Sequence, residues 1–241
     1  MNKNGQRTSD GHPLPTPQPG VVETQLMLGQ IHLDQGHMDE AFTMFEAAAR
    51  SGDPRAVNML GRAHERGWGT ARNPVTAALY YTHAADSGYG WALFNLADLY
   101  LAGQGVRADP GRAHVLYVAA ARAGVAKALN MLGIMAEQRM VPAARPESAP
   151  VFFHAAATEG DCWGCVNLAR LYLAAGQTAQ AIPWLHKALE HGFGDVFAVI
   201  ATLLATQPAP RLRPLAREAA GRMRAACQPD RLLTPTRSHD T

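Results

Sequence analysis

The chain has 241 residues, 47% of them apolar, and its 22 Lys and Arg side chains nearly balance 20 Asp and Glu, which gives a net charge of +2. This length and composition are enough for a continuous buried core. So small a net charge argues against general attraction to polyanions. We therefore expect neither nucleic acid nor a membrane as a partner.

The location predicted from the sequence is cytoplasmic. Three cysteines are too few for a disulfide framework, which favours a reducing compartment. No run reaches the roughly 20 apolar residues that a membrane-spanning helix needs. Residues 1–20 also lack the apolar core of a secretory signal.

Residues 1–20 are rich in proline and polar residues, and four prolines fall within seven positions (Pro13, Pro15, Pro17 and Pro19). Such a segment buries too little apolar surface to offset its ordering entropy, so we predict a disordered tail, in which a short linear motif remains an alternative. Helical periodicity then extends over residues 21–227. A polar tail is expected over residues 228–241.

The strongest pattern is a repeat with a step of 36 residues between two consecutive segments. The matched pairs include Ala56/Ala92, Leu60/Leu96, Gly67/Gly103, Tyr81/Tyr117, Ala84/Ala120 and Gly88/Gly124. A fixed period of this size is typical of stacked helix pairs, called here helix A and helix B, which bury their apolar faces only against their neighbours. The dipeptides Asn73-Pro74 and Asp109-Pro110 predict where two of the B helices begin, with an N-cap followed by proline at the first helical position.

The pattern A-x-x-x-L-[GA]-x-x-[HY], then G-x-G, then A-x-x-x-[YF]-x-x-A-x-x-x-G resembles the Sel-one-like repeat (SLR) family, the longer-looped relatives of tetratricopeptide repeats. The resemblance covers about residues 21–192, and the first unit and the unit ending at Gly192 have ordinary tetratricopeptide spacing. It implies an all-α fold, an α/α superhelical solenoid of five to six helix-turn-helix repeats. It also implies a non-catalytic adaptor for protein complexes, with no catalytic residue and no cofactor.

Two regions depart from the repeat. The fourth unit has the irregular loop 139–146 without the glycine pair, which favours a local kink or seam. After Gly192, residues 193–205 predict one more helix and residues 211–227 a final arginine-rich helix. That last helix is most simply a solubilising cap, while contact with an acidic partner or membrane surface is the alternative.

The pair Cys162 and Cys165 forms a C-x-x-C, the most catalytic-looking string in the chain. At a helix N-terminus the pKa of a thiol falls, which makes a redox- or metal-responsive regulator the alternative function. However, no strand pattern supports a thioredoxin-type site and no further ligands complete a zinc site, so packing is the simpler interpretation. His32 and His64 occupy packing positions, and no metal site is expected.

The best functional signal is the surface of the A helices that remains after the packing positions are removed. We expect it to form a concave groove that binds a peptide or protein segment with apolar side chains and at least one carboxylate, since Arg and Trp are frequent interface anchors. Packing of the two tryptophans against adjacent helices is the alternative. A monomer or weak homo-oligomer is expected. The predicted groove residues are Arg55, Asn58, Arg62, Arg66, Trp91, Phe94, Asp98, Lys127, Asn130, Trp163, Asn167 and Arg170.

Overall fold

The computed structural model describes residues 19–207 and 209–226, and within these ranges it contains twelve α-helices and no β-strand. Residues 1–18 of the predicted tail 1–20, the whole predicted tail 228–241 and Cys227 lie outside the described residues, whereas Pro19 and Gly20 are helical. The helices are α1 (Pro19–Asp34), α2 (Met38–Ala49), α3 (Pro54–Arg66), α4 (Pro74–Asp86), α5 (Gly90–Ala102), α6 (Pro110–Arg122), α7 (Ala126–Glu137), α8 (Ala149–Thr158), α9 (Cys162–Ala174), α10 (Thr178–His191), α11 (Gly194–Ala205) and α12 (Arg213–Ala226).

Consecutive helices pack as pairs, so odd-numbered helices are the A helices and even-numbered helices the B helices of six repeats. The chain divides after Val125 into two compact units, α1–α6 and α7–α12. Each unit contains three helix pairs. The predicted fold class, an all-α repeat fold of the solenoid type, is confirmed.

In the first, second and fourth pairs, an aromatic ring of helix B lies directly against a glycine of helix A. A Cβ atom added to Gly61 would come within 2.8 Å of the Tyr81 ring, and one added to Gly133 would be similarly blocked by Phe153. Tyr81 and Phe153 are fully buried. Because the absent Cβ makes room for the ring, the two helix backbones approach closely and the ring fills the space between them.

The predicted helix starts are confirmed by their hydrogen bonds. Asn73 Oδ1 accepts the backbone N–H of Thr76 at 3.1 Å, and Asp109 Oδ1 accepts that of Arg112 at 2.9 Å. Proline follows each cap, where its missing N–H has no helical acceptor to lose. The sequence therefore sets where these two B helices begin.

Other boundaries differ from the prediction by a few residues. The first helix begins at Pro19, two residues before the expected start, and the final helix begins at Arg213 after a short 3-10 turn. In the irregular fourth repeat, Arg139 has a left-handed φ of 52° and another 3-10 turn, Pro146–Ser148, precedes α8. None of the described helices is long and apolar enough to cross a bilayer.

The loop between α5 and α6 approaches the preceding repeat so closely that it requires glycine. Gly105 has a φ of 71°, and a Cβ at this position would collide with the backbone carbonyl group of Pro74, the first residue of α4. Gly124 also has a positive φ, 86°, but open space surrounds it. The two glycines therefore separate the effect of backbone conformation from the effect of close packing.

We expect Gly105→Ala to destabilise the protein by about 3 kcal/mol, because a left-handed alanine and a clash with backbone each cost about 1–2 kcal/mol. Gly124→Ala is the matched control and should cost about 1 kcal/mol, since only the backbone cost applies. Urea unfolding followed by circular dichroism measures both values. Equal losses in the two variants would show that the approach of the loop to α4 contributes nothing.

Candidate partner-binding surface

Asparagine pairs link the A helices of neighbouring repeats in each unit. In the first unit Asn95 Nδ2 donates to Asn58 Oδ1 at 2.9 Å, joining α5 to α3, and in the second Asn167 Nδ2 donates to Asn130 Oδ1 at 2.9 Å, joining α9 to α7. Asn58 and Asn130 are only 3% and 5% exposed. The prediction that these two line an open groove is therefore wrong, because each amide is buried against the next A helix and satisfied there.

Phe94 is also buried, contrary to the prediction that it faces a partner. Its ring centroid lies 5.6 Å from that of Tyr117 and 5.9 Å from that of Trp91. The Trp91 ring meets it edge-on, with 73° between the ring planes, and Trp91 itself is 46% exposed. Phe94 is thus a packing residue that supports an exposed tryptophan.

Carboxylates on the A helices accept hydrogen bonds from the tyrosines of the B helices. Tyr81 donates its hydroxyl to Glu65 Oε2 at 2.6 Å, and Tyr117 donates to Asp98 Oδ1 at 2.5 Å. Burial, together with the neighbouring carboxylate, raises the pKa of both tyrosines, so their hydroxyls stay protonated as donors. Asp98, expected in the groove, therefore has a structural hydrogen bond.

The fourth repeat has Phe153 where a tyrosine stands in the second and third repeats, so its ring has no hydroxyl. Here the A-helix carboxylate of Glu137 accepts from Arg170 Nη2 instead, at 2.6 Å. Arg170, another predicted groove residue, is therefore neutralised by a neighbouring repeat. The choice of tyrosine or phenylalanine in helix B is accompanied by a different partner for the nearby carboxylate.

The three predicted groove arginines of α3 differ in the contacts that they make within the protein. Arg55 Nη1 lies 2.7 Å from Glu23 Oε2 and its Nη2 3.0 Å from Asp53 Oδ2, and this guanidinium lowers the pKa of Asp53. Arg62 is half-buried, with its guanidinium 5.0 Å from the centroid of the Trp68 ring. Arg66 is exposed, and its Nε lies 3.6 Å from Glu65 Oε1.

Three of the predicted residues therefore form a strip on the first unit: Trp91, Arg62 and Arg66, which we call the α3–α5 strip. The Asn58–Asn95 bond sets α3 beside α5, and Trp91 lies one helical turn before Asn95. Arg62 lies one turn after Asn58. At 1.5 Å per residue the two side chains attach about 12 Å apart along the helices, which is the length of roughly four residues of extended peptide.

The second unit has a counterpart to Trp91 with a different environment. Trp163 is half-buried, and its ring centroid lies 6.3 Å from that of Phe193, which is 51% exposed. Lys127 is exposed on α7. Because Arg170 is paired with Glu137, this surface offers aromatic area rather than an unpaired arginine near its asparagine pair.

The cysteine pair lies at the start of α9, but its environment opposes a thiolate. Cys165 is 1% exposed, its thiol donates to the Ala157 carbonyl at 3.9 Å, and burial raises its pKa to about 11. Burial, together with the charge of Asp161, raises the pKa of Cys162 as well. The expected lowering by the helix N-terminus is therefore wrong, and the redox alternative has no support from this site.

The histidine at the A-helix packing position behaves as predicted. His64 stacks on Tyr80 with 5.4 Å between ring centroids and meets Phe42 edge-on at 5.7 Å, and burial lowers its pKa. In the part of the chain that the structure describes, no cluster of three or more His, Cys, Asp or Glu side chains could hold a metal ion. The rings here serve packing.

Sequence reasoning missed Asn95, although a signal for it is present. Asn58 and Asn130 are 72 residues apart, and so are Asn95 and Asn167, Glu65 and Glu137, and Trp91 and Trp163. This spacing is twice the basic period. It indicates that the second and third repeats form one matched pair and the fourth and fifth another, each joined by an asparagine bond.

Comparison with known proteins agrees with this architecture. The Sel1 repeat model matches residues 54–89 and 92–125, and tetratricopeptide-repeat models match residues 22–51 and 165–196. A comparison with curated proteins found no match. The tetratricopeptide models match the first and fifth repeats, where the sequence has the shorter spacing, and the Sel1 model matches the second and third repeats, where it has the longer one.

Among solved structures, a Sel1 repeat protein from Oxalobacter formigenes is similar with a TM-score of 0.69 and 22% identity, over 87% of this chain and 91% of that one. A protective antigen of uropathogenic Escherichia coli with an SLR fold has a TM-score of 0.63 and 28% identity over 83% of this chain, which spans 46% of the antigen. An immunity protein from Pseudomonas aeruginosa shares the fold at a TM-score of 0.62 and 16% identity, over 90% of this chain and 85% of that one.

The asparagine pair should contribute measurably to stability. Asn95→Ala removes the donor and leaves the buried Asn58 carbonyl oxygen unsatisfied, so we expect a loss of about 1–3 kcal/mol. In a double-mutant cycle, Asn58→Ala with Asn95→Ala should cost less than the sum of the single changes by at least about 0.5 kcal/mol. Urea unfolding measures each value, and Gln138→Ala, an exposed amide on the chain, is the control. Strict additivity would contradict the pairing.

The thiol of Cys165 should be unreactive in the folded protein. A pKa raised to about 11 keeps it protonated at pH 8, so reaction accelerates only as the pH rises towards that value. In a Cys227→Ser background, mass spectrometry should show iodoacetamide labelling of Cys165 at pH 8 at least roughly a hundredfold slower in the folded protein than in guanidinium. Equal rates would refute this description of the site.

Proposed function

We propose, on the premise that the chain belongs to the Sel-one-like repeat (SLR) proteins of the tetratricopeptide-repeat superfamily, that it is a non-catalytic scaffold that binds a segment of another protein on its A helices. Repeats of this kind generally serve as protein-interaction scaffolds and are typically non-enzymatic. The finer proposal concerns where the segment binds and what chemistry it has.

The observation that carries the proposal is the exposure of Trp91 on the α3–α5 strip. A tryptophan side chain that is 46% exposed, yet fixed edge-on against the buried Phe94, offers a large and rigid apolar contact at little entropic cost. Isolated exposed apolar residues are common on proteins, but large aromatic ones beside arginines are typical of interface anchors.

The positive charge of Arg62 and Arg66, at the other end of the strip, also supports the proposal. Glu65 accepts from Tyr81, so its charge is shared between that hydroxyl and Arg66, while the guanidinium of Arg62 is oriented by the Trp68 ring. A carboxylate on the partner can therefore approach Arg62 and Arg66 and form the bidentate contacts that a guanidinium favours.

The proposed ligand is thus an extended segment with a large apolar side chain on Trp91 and an acidic residue about three to four positions away on Arg62 and Arg66. The asparagine pair lies between these ends and keeps α3 and α5 in register. Because Asn58 is buried and already bonded, holding a peptide backbone is not its role; it positions the two helices that carry the anchors.

A random peptide library selected on the full-length protein tests this proposal. Enriched peptides should combine a large apolar residue with Asp or Glu three to four positions away. By fluorescence anisotropy, Trp91→Ala and Arg62→Glu should each weaken binding of such a peptide at least about tenfold, as expected for interface anchors. Added salt should weaken binding by the wild type but affect Arg62→Glu less.

Two matched controls keep the result specific. Val115→Ala truncates an apolar side chain of α6 that is 66% exposed, and Arg107→Glu reverses an exposed charge in the loop between α5 and α6. Both should bind as the wild type does. The proposal would be contradicted if the selected peptides lacked an acidic residue, or if Trp91→Ala and Arg62→Glu both bound as tightly as the wild type.

A further inference from the structure

The first helix differs from the other A helices of its unit in one respect: no helix B precedes it among the described residues. Leu28, Leu60 and Leu96 occupy the same position of successive repeats, yet Leu60 and Leu96 are 5% and 4% exposed, whereas Leu28 is 40% exposed. Three residues further on, Ala63 and Leu99 are 0% and 2% exposed, whereas the equivalent Ile31 is 42% exposed. In α5 this face packs against Ala77, Ala78 and Tyr81 of the preceding helix B, α4, so in α1 it is a helix-binding face without its helix.

The last helix presents the reverse situation. α12 packs on α11, and Leu215 and Ala219 of α12 are buried together with Leu212 of the turn before it. In the described part of the chain no helix follows α12. On another side Arg213, Arg217 and Arg224 are exposed, with the small residues Ala216 and Ala220 half-buried between them. Small residues let a further helix approach closely, and the arginines flank that approach.

The two ends carry opposite charge. Helices α1 and α2 contain no Lys or Arg and five acidic residues: Glu23, Asp34, Asp39, Glu40 and Glu46. Glu23 and Glu46 are paired with Arg55 and Arg50, so the negative charge of this end comes from the other three. Helix α12 and the turn before it contain five arginines against one acid: Arg211, Arg213, Arg217, Arg222 and Arg224 against Glu218. The basic α12 end of one copy therefore attracts the acidic first repeat of another copy, while two acidic ends repel each other.

We propose that the exposed face of α1 binds α12 of a second copy of this chain, so that copies associate head to tail. The contact supplies α1 with the helix B that its face lacks, with Leu28 and Ile31 packing on the alanines of α12 and Arg213 and Arg217 directed towards the acidic first repeat. Residues 1–18 have no apolar side chains other than Met1, Leu14 and prolines, so they offer no comparable apolar face to cover α1.

Such a contact is heterologous, because each copy contributes a different surface. After the first contact forms, the pair of copies retains one unused α1 face and one unused α12, so association continues until the copies close into a ring or extend as a chain. Growth beyond a dimer is therefore the signature of this arrangement, whereas a contact between like faces stops at two copies.

Sedimentation velocity of the full-length protein, from low micromolar to roughly 0.5 mM, tests the proposal. The wild type should shift to larger species with concentration, and the shift should weaken as salt is raised. Ile31→Arg places a cation on the acidic end, and Arg217→Glu reverses one at the basic end. Each variant alone should stay monomeric over the range in which the wild type associates.

An equimolar mixture of the two variants gives the sharpest result. The Ile31→Arg chain keeps an intact α12 and the Arg217→Glu chain keeps an intact α1, so the mixture should form a dimer and stop there. Val115→Arg and Arg107→Glu are matched controls at exposed positions elsewhere and should associate as the wild type does. A monomeric wild type throughout, a mixture that stays monomeric, or controls that lose association as fully as the variants would each overturn the proposal.

Discussion

The packing of the first, second and fourth repeats depends on the contact between an aromatic ring of helix B and a glycine of helix A. Where Tyr81 meets Gly61 and Phe153 meets Gly133, a single additional methyl group would collide with the ring. The contact fixes how closely the two helices of a repeat approach, and stacking of repeats then buries the remaining apolar faces. Caps such as Asp109 add directional control, because they determine at which residue helix B begins and hence which ring faces helix A.

The same contact influences surface electrostatics. A tyrosine at the ring position donates to a carboxylate of its own repeat, as Tyr81 does to Glu65, whereas Phe153 makes no such bond and Glu137 pairs with Arg170. In the repeat whose ring lacks the hydroxyl, the carboxylate of Glu137 thus pairs with an arginine of the next repeat. The two surfaces related by the 72-residue spacing differ in positive charge chiefly because Ile134 and Gln138 stand where the first unit has Arg62 and Arg66, while Arg170 is paired with Glu137.

The fold was predictable from the sequence because the 36-residue period, the Asn-Pro and Asp-Pro helix starts and the glycines are all local signals. The surface was predictable only in part. An A helix in a repeat contacts its own helix B, the preceding helix B and the next A helix, so its buried arc is wide. Even on one face of α3 the burial differs, because Asn58 is buried while Arg62, one helical turn later, is only half-buried. The thiol pKa was mispredicted because burial and the Asp161 carboxylate outweigh the helix N-terminus, and burial at a helix start depends on the preceding repeat.

Repeat folds leave two unlike ends, and this chain treats them differently. The arginines of α12 give its end the polar surface expected of a solubilising cap, whereas α1 leaves Leu28 and Ile31 exposed. A cap whose arginines keep it soluble in water can still bind an acidic, apolar surface, so the two roles are compatible. The face of α1 used for stacking is also distinct in register from the α3–α5 strip. Stacked copies would therefore present several strips at once, and a partner with repeated acidic-apolar segments would gain avidity without any new contact.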